Sequence, residues 1–166
     1  MARGMLTSAD GPVVVSEKSL RALVAIRREK LLTELFGEVA MARTAATAMG
    51  ELLPTEASWL VVMDDRPEQA LPERVSSATA SERATLQLSL ALPASLVVID
   101  GAIKEKAKLS YIKCEGVVGL LVEAYRTGRL SAVRPMVTAL EKLGHADVLP
   151  PEHVREAMWK ALAGLA

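Results

Sequence analysis

The sequence has few aromatic residues, one cysteine and no excess of either charge. Aromatic side chains account for 3% of the 166 residues, so the core must be built from Leu, Val, Ala, Ile and Met. The lone Cys114 excludes an internal disulfide and a zinc cluster of several cysteines. With 20 basic and 20 acidic residues, the chain has no global attraction to nucleic acid, although a local basic patch is still compatible with it. Zero net charge also favours self-association.

Long apolar runs and glycine-rich phosphate loops are missing as well. No run approaches the roughly 20 apolar residues that cross a bilayer, so no membrane segment is expected. The first ten residues lack the apolar core of a signal peptide. Neither a Gly-x-Gly-x-x-Gly sequence nor a Walker motif occurs, which argues against the common nucleotide-binding loops. We therefore expect a soluble, cytoplasmic protein.

Short β-branched runs alternate with helical patterns along the chain. The runs Val13–Val15, Val39–Met41, Trp59–Met63 and Leu96–Ile99 have the length and composition of buried strands. Strands that alternate with helices predict βαβ units, and hence an α/β fold with a mostly parallel sheet covered on both faces. We expect residues 1–11 to form a flexible leader and residues 12–166 a single domain.

Two local patterns need interpretation. Leu86, Leu88, Leu90 and Leu92 alternate as in a strand, but the spacing of Thr79 and Glu82 is that of a capping box, so we predict a helix that begins near Ser81. Ser19 is expected to cap the first helix. The charged residues 27–30 mark either a solvated face or a break between two helices.

Acidic residues follow two of the predicted strands. Glu17 comes shortly after Val13–Val15, and Asp100 comes directly after Leu96–Ile99. Functional sites of open α/β sheets lie beyond the carboxyl ends of the strands, so the two carboxylates could begin a metal site. A simpler interpretation is also open, because Asp100-Gly101 is a turn signal and Glu17 a solvated charge at a strand end.

Three stretches together resemble the PIN-domain nucleases, in the branch of VapC-like toxins and related nucleic-acid-binding proteins. Val13-Val-Val-Ser-Glu-Lys-Ser19 is similar to the family's first strand and its Ser-Asp-Thr-Ser turn. Ser81-Glu-Arg-Ala-Thr-Leu, followed by Leu96-Val-Val-Ile-Asp100, is similar to a Gly-Glu-x-Glu-Ala helix and the next strand. The segment from Gly116 to Leu130 resembles Gly-Thr-Leu-Gly-Val-Leu-x-Glu-Ala-x-x-x-Gly. The likeness spans residues 13–165.

The resemblance implies a PIN-like α/β/α sandwich that cleaves RNA with Mg²⁺ or Mn²⁺ held by three or four carboxylates. It also implies RNA as substrate, an antitoxin-like protein as partner and a homodimer. Hard divalent cations need several oxygen ligands, which is why carboxylates must converge in such a site.

Only some of the family's four acidic positions fall on acidic residues of this sequence. The first falls on Glu17 and the fourth on Asp100, and these two with Glu82 are the candidate catalytic residues. The second is expected near residues 45–48, where no acid stands, so that Glu51 would have to serve about one turn later. The third falls on Ala84. The candidate metal ligands are therefore Glu17, Asp100, Glu82 and Glu51.

Other polar residues have simpler interpretations. Glu82 also suits a helix start and Glu51 an exposed helix position, whereas Ser19 could either cap a helix or support a metal site. We expect Asp64-Asp65 to form a solvated loop, His145 and His153 to be surface or cap residues, and Cys114 to be a small buried hydrophobe. The basic residues could form a rim for RNA phosphates or simply a solvated face: Lys104, Lys106, Lys108, Lys113, Arg126 and Arg129.

Two functional hypotheses follow. The first is a ribonuclease of toxin-antitoxin type that is catalytically impaired, because Ala84 and Val117 stand where functional groups are expected. The second is a non-catalytic PIN-like scaffold that acts through protein or RNA binding. Metal binding by Glu17 and Asp100 separates the two hypotheses.

Overall fold

The computed structural model describes residues 11–93 and 95–164, so the leader predicted for residues 1–11 lies almost wholly outside the described residues. Within these ranges the chain forms five strands and eight α-helices. The strands are β1 (Val13–Val15), β2 (Val39–Ala42), β3 (Leu60–Met63), β4 (Leu96–Val98) and β5 (Cys114–Glu115). The helices are α1 (Glu17–Ala25), α2 (Lys30–Phe36), α3 (Arg43–Met49), α4 (Ala80–Ala91), α5 (Ala102–Leu109), α6 (Val117–Arg126), α7 (Arg134–Lys142) and α8 (Glu152–Ala163).

The strands form one parallel sheet in the order β3-β2-β1-β4-β5. β1 lies at the centre, where Val14 pairs with Ala40 of β2 and with Val97 of β4. Successive side chains of a strand point to opposite faces, and all three residues of β1 are buried, so both faces of the sheet are covered. The predicted α/β sandwich with a central parallel sheet is confirmed.

The structure corrects one predicted helix boundary and settles two alternatives that the sequence left open. α1 begins at Glu17, because Ser16 is the N-cap and its Oγ accepts a hydrogen bond from the backbone N–H of Ser19 at 3.3 Å. Ser19 therefore lies inside the helix, and the prediction that it caps the helix is wrong. Arg27 has φ 57°, which is incompatible with a continuous helix and separates α1 from α2. The charged residues 27–30 therefore mark a break between two helices. α4 is helical despite its alternating leucines, as its capping box predicted.

The edges of the molecule are less predictable than its centre. β5 has only two residues, too few for a strand pattern, yet it extends the sheet beyond β4. Its Cys114 is half-buried rather than fully buried, and burial raises the pKa of this thiol to about 11. No helix in residues 11–93 and 95–164 is both long enough and apolar enough to span a membrane.

Candidate functional site

The carboxyl ends of β1 and β4 bring the two predicted carboxylates to one edge of the sheet. Val15 pairs with Val98, and the backbone N–H of Ser16 donates to the carbonyl of Val98 at 2.9 Å. Glu17 and Asp100 therefore follow neighbouring strand ends, and both line a cavity of about 410 Å³. Glu82, from the first turn of α4, lines the same cavity. The structure thus brings together three of the four predicted residues.

Asp100 is buried and held by several hydrogen bonds. Its Oδ2 accepts a hydrogen bond from the Ser19 hydroxyl at 2.6 Å and another from the backbone N–H of Val117 at 3.1 Å. Gly116 allows this approach, since a Cβ there would lie 2.4 Å from Asp100 Oδ1. Asp100 therefore joins β4 to the N-terminal ends of α1 and α6.

Burial raises the pKa of the Asp100 carboxyl from its ordinary value of 3.8 to about 6. The hydrogen bonds from Ser19 and Val117, and the positive charge of Lys104, oppose this rise in pKa by favouring the carboxylate. Asp100 is consequently charged in most molecules at pH 7. Its charge is compensated by groups of the protein itself.

Glu17 is engaged by a cationic side chain of its own helix. Its Oε2 lies 2.7 Å from Nε of Arg21, one turn further along α1. Arg21 is also tied to the neighbouring helix, because its Nη2 donates to the carbonyl of Ala48 at 2.5 Å. The Glu17 carboxylate is therefore part of an ion pair whose cation is held in place from two sides.

Lys18 places a second positive charge at the same edge of the sheet. Its Nζ lies 3.4 Å from Oδ2 of Asp147, and a Cβ added to Gly101 would meet that Nζ at 2.9 Å. The ammonium group thus lies over the residue that directly follows Asp100. Two cations, on Lys18 and Arg21, share the cavity with the acids.

The remaining predicted acids have other positions. The Oε1 of Glu82 accepts from the backbone N–H of Thr79 at 2.9 Å, and the Thr79 hydroxyl accepts from the N–H of Glu82, which completes the capping box of α4. Glu51 lies exposed on a short 3₁₀ helix, Gly50–Leu52, and does not line the cavity. The structure therefore does not bring Glu51 to the other acids.

Sequence reasoning missed one acid of the cavity and misplaced one other aspartate. Asp147, on the 3₁₀ helix Ala146–Val148, lines the cavity next to His145. A single aspartate in a loop gives no pattern that could have revealed it. Asp65, expected in a solvated loop, instead accepts hydrogen bonds from the backbone N–H of Thr44 at 3.0 Å and from its hydroxyl, and so caps α3.

A family model described as a PIN domain matches residues 12–158. The chain belongs to the PIN-domain family. No curated protein and no solved structure gives a significant match. The matched range includes every strand of the sheet and both strand ends that carry Glu17 and Asp100, so the family predicted from the motifs is confirmed.

PIN domains are generally nuclease-related and use divalent metal ions, so the residues at this edge can be compared with that requirement. In the described part of the chain, no group of three or more His, Cys, Asp or Glu residues is placed to hold a metal ion. Glu17 is paired with Arg21, and Glu82 is part of a helix cap. The residues present therefore do not fit a Mg²⁺ or Mn²⁺ centre built from several oxygen ligands.

Proposed function

We propose that this PIN-domain protein is impaired in metal-dependent RNA cleavage and acts as a non-catalytic binding scaffold. The observation that carries the proposal is the ion pair of Glu17 with Arg21, together with the ammonium of Lys18 close to the end of β4. Glu17 is bound by Arg21 at 2.7 Å, and the Lys18 ammonium lies over Gly101. Protein cations thus stand among the carboxylates that a nuclease of this family would use for metal ions.

Electrostatics explains why these cations matter. A divalent ion is the largest charge in a nuclease site and needs carboxylates that are free to coordinate it. A guanidinium in contact with Glu17 competes for the same oxygen atoms, and the ammonium of Lys18 repels a cation approaching Asp100. Ala84, where the family has an acid, is buried and supplies no ligand.

Metal titration combined with an RNA cleavage assay tests this proposal. We expect wild-type protein to show no saturable Mn²⁺ binding at millimolar metal by electron paramagnetic resonance. We also expect it to cleave RNA no faster than Asp100→Asn does. The double variant Lys18→Ala/Arg21→Ala should show saturable Mn²⁺ binding, at least about tenfold tighter than the limit set by the wild type, because removal of two positive charges favours the binding of Mn²⁺. Arg129→Ala, which removes an exposed cation elsewhere, is the matched control.

Saturable Mn²⁺ binding to the wild type, together with RNA cleavage that Asp100→Asn abolishes, would contradict the proposal and restore the nuclease hypothesis. Binding in the double variant without cleavage would support it. In that case the acids remain able to attract metal, but the catalytic set is incomplete.

RNA binding without cleavage is the favoured role of the scaffold, because an aromatic side chain that projects into solvent lies close in sequence to several exposed lysines. Tyr111 follows α5 with φ 62° and is 98% exposed. Lys106, Lys108 and Lys113 are exposed on the same stretch of chain. Proteins that bind single-stranded nucleic acid combine a base stacked on an aromatic ring with cations along the phosphates.

Fluorescence anisotropy with a labelled single-stranded RNA tests this role. Tyr111→Ala should weaken binding about fivefold or more, because a base stacked on an aromatic ring contributes about 1–3 kcal/mol. Lys106→Gln should lower the salt dependence of binding, whereas Lys142→Gln on α7 should not. Equal RNA affinities for the wild type and the three variants would argue against this surface as the RNA site.

We also propose that the protein derives from ribonucleases of VapC-like toxin-antitoxin systems. The segment from Gly116 to Leu130, which resembles that branch, forms α6 and its flanks, and its first residue makes room for Asp100. A homodimer and an antitoxin-like protein partner belong to this proposal. Light scattering of the purified protein should give twice the monomer mass, and a monomer at all concentrations would argue against the dimer.

A further inference from the structure

The two edges of the sheet differ in how they are protected. β5, at one edge, has only two residues, and one of them is the charged Glu115. β3, at the other edge, has four residues, and its sequence Leu-Val-Val-Met contains no charge, proline or glycine. Natural proteins protect long apolar edges with charges, prolines or covering segments, because a free strand edge pairs with other chains. The edge of β3 has neither of the first two protections.

The register of β3 shows which of its backbone groups are free. The N–H of Val39 donates to the carbonyl of Trp59 at 2.8 Å, and Val39 is the register partner of Leu60. In a parallel ladder this register directs the backbone groups of the odd-numbered residues of β3 toward β2. Those of Leu60 and Val62 therefore point away from β2. The Leu60 N–H closes a turn, and no strand of the described residues pairs with the other groups.

The side chains of β3 are also only partly covered. All four of its residues are half-buried, whereas every residue of β1, β2 and β4 is buried. Leu60, Val62 and Met63 pack against the core, but Val61 is not among the core contacts of the described residues. Val61 therefore offers apolar surface to a partner strand.

A second copy of β3 can pair with this edge in a small number of registers. An antiparallel ladder joins residues whose backbone groups point at each other, so Leu60 and Val62 must face even-numbered residues of the second copy. A two-fold axis can then pass through Leu60, Val61 or Val62. The axis at Val61 pairs Leu60 with Val62 of the second copy in both directions.

The charged residues that flank β3 favour the axis at Val61. This register places Glu56 across from Arg66 of the second copy, and symmetry repeats the contact. Moving the axis by one residue in either direction would place Glu56 across from Glu68 or Asp64 instead, and like charges that face each other are destabilising. Within the described residues, neither Glu56 nor Arg66 forms an ion pair. Both are thus available to a second copy.

We propose that β3 pairs antiparallel with β3 of a second copy about a two-fold axis at Val61, which joins the two five-stranded sheets into one. The N–H of Val62 donates to the carbonyl of Leu60 of the second copy, and the symmetric bond completes the pair. The two Val61 side chains meet on the axis. This interface rests on the homodimer proposed above, but on neither the RNA binding nor the impaired cleavage.

Sedimentation equilibrium of the full chain tests the interface. We expect the wild type to dimerise and Val61→Lys to raise the dissociation constant of the dimer at least about tenfold, because it places two ammonium groups across the axis. Val61→Thr keeps the β-branched shape without a charge and should stay within about threefold of the wild type. Circular dichroism checks the folding of both variants.

A charge exchange keeps the test decisive if Val61→Lys fails to fold. Glu56→Arg and Arg66→Glu should each weaken the dimer at least about threefold, and the double variant Glu56→Arg/Arg66→Glu should recover the wild-type affinity. Glu34→Arg, at an exposed position of α2, is the matched control and should leave the dissociation constant within about twofold.

Three results would overturn the interface. A dimer that is equally tight in the wild type, Val61→Lys and the single charge variants would lie elsewhere on the molecule, and the proposed homodimer would stand without this interface. A wild type that stays monomeric up to about 100 µM would remove both the homodimer and its interface. Strong protection of the Val62 amide from hydrogen exchange in a monomer would show that something other than a second copy covers β3.

Discussion

At the scale of single residues, Asp100 is held by the protein from several sides at once. Ser19 and Val117 donate to its carboxylate, and Gly116 leaves the space that the carboxylate needs. A carboxylate can coordinate a metal ion only through oxygen atoms that are free to face the ion. In Asp100 these oxygens already accept hydrogen bonds from Ser19 and Val117. The position that marks the family in the sequence is therefore also part of the structural framework.

The raised pKa of Asp100 predicts a pH-dependent stability. The pKa of the Asp100 carboxyl is about 6 in the folded protein and about 3.8 in the unfolded chain. Between these two values the folded protein binds a proton that the unfolded chain has released, so the free energy of unfolding falls as the pH rises from about 3.8 to about 6. The difference corresponds to roughly 3 kcal/mol. Urea unfolding between pH 4 and 7 should show wild type losing up to about this amount relative to Asp100→Asn. Parallel pH profiles for the two proteins would contradict the prediction, and exposed Asp64→Asn serves as control.

Two glycines of the same segment should differ in their response to alanine. Gly116→Ala would bring its Cβ to 2.4 Å from Asp100 Oδ1, a buried and bonded atom, and should cost about 1–3 kcal/mol. At Gly119 the Cβ would meet Glu115 Oε1 at 2.2 Å, and the half-buried Glu115 side chain would have to rotate and lose its hydrogen bond from the Gly116 N–H. The higher helix propensity of alanine inside α6 offsets this loss, so Gly119→Ala should be within about 1 kcal/mol of neutral. Thermal unfolding measures both, and equal losses would contradict this argument.

At the scale of elements, contacts between distant segments complete the helix ends. α3 has no side-chain cap of its own, and Asp65, beyond the end of β3, supplies the acceptor for Thr44. This contact explains why an alanine-rich helix of seven residues forms directly after β2. It also accounts for the half-buried position of Asp65.

The neighbouring aspartates of this loop provide a matched pair. Asp65→Ala should destabilise the protein by about 1–2 kcal/mol, because it removes the only side-chain acceptor that the described residues offer to the N–H of Thr44. Asp64→Ala removes an exposed ion pair with Arg43 and should cost well under about 1 kcal/mol. Chemical denaturation compares the two, and a larger loss for Asp64→Ala would exclude the capping role of Asp65.

The elements were more predictable than their ends. Buried strands such as β4 are visible in the sequence because both of their faces are apolar, and α4 is visible because its cap is local. The start of α1 was misplaced by three residues, since Ser16 and Ser19 both have the chemistry of a cap and only the contact to Asp100 separates them. β5 was missed because two residues carry no periodicity.

At the scale of the whole molecule, the centre and the carboxyl-terminal side differ in packing. All residues of β1 and β4 are buried, whereas α8 has no buried residue and contacts the core through partly buried side chains such as Met158, Trp159 and Leu162. Arg134 lies 5.2 Å from the ring of Trp159, which adds a cation–π contact to this weak docking.

Hydrogen exchange should reveal this difference in packing. We expect the amides of α8 to exchange much faster than those of β1 and β4, because a helix with few buried contacts opens without global unfolding. Mass spectrometry of peptides from the two regions measures the rates. Equal protection of α8 and the central strands would show that the helix is part of the cooperative core.

The sequence by itself determined the family, the parallel α/β architecture and the edge of the sheet where Glu17 and Asp100 lie. It could do so because apolar runs and strand-end acids are local patterns that directly reflect burial and topology. Only the tertiary structure decided what surrounds those acids. Arg21 beside Glu17 and Lys18 over Gly101 depend on side-chain contacts and burial, which no spacing in the chain encodes.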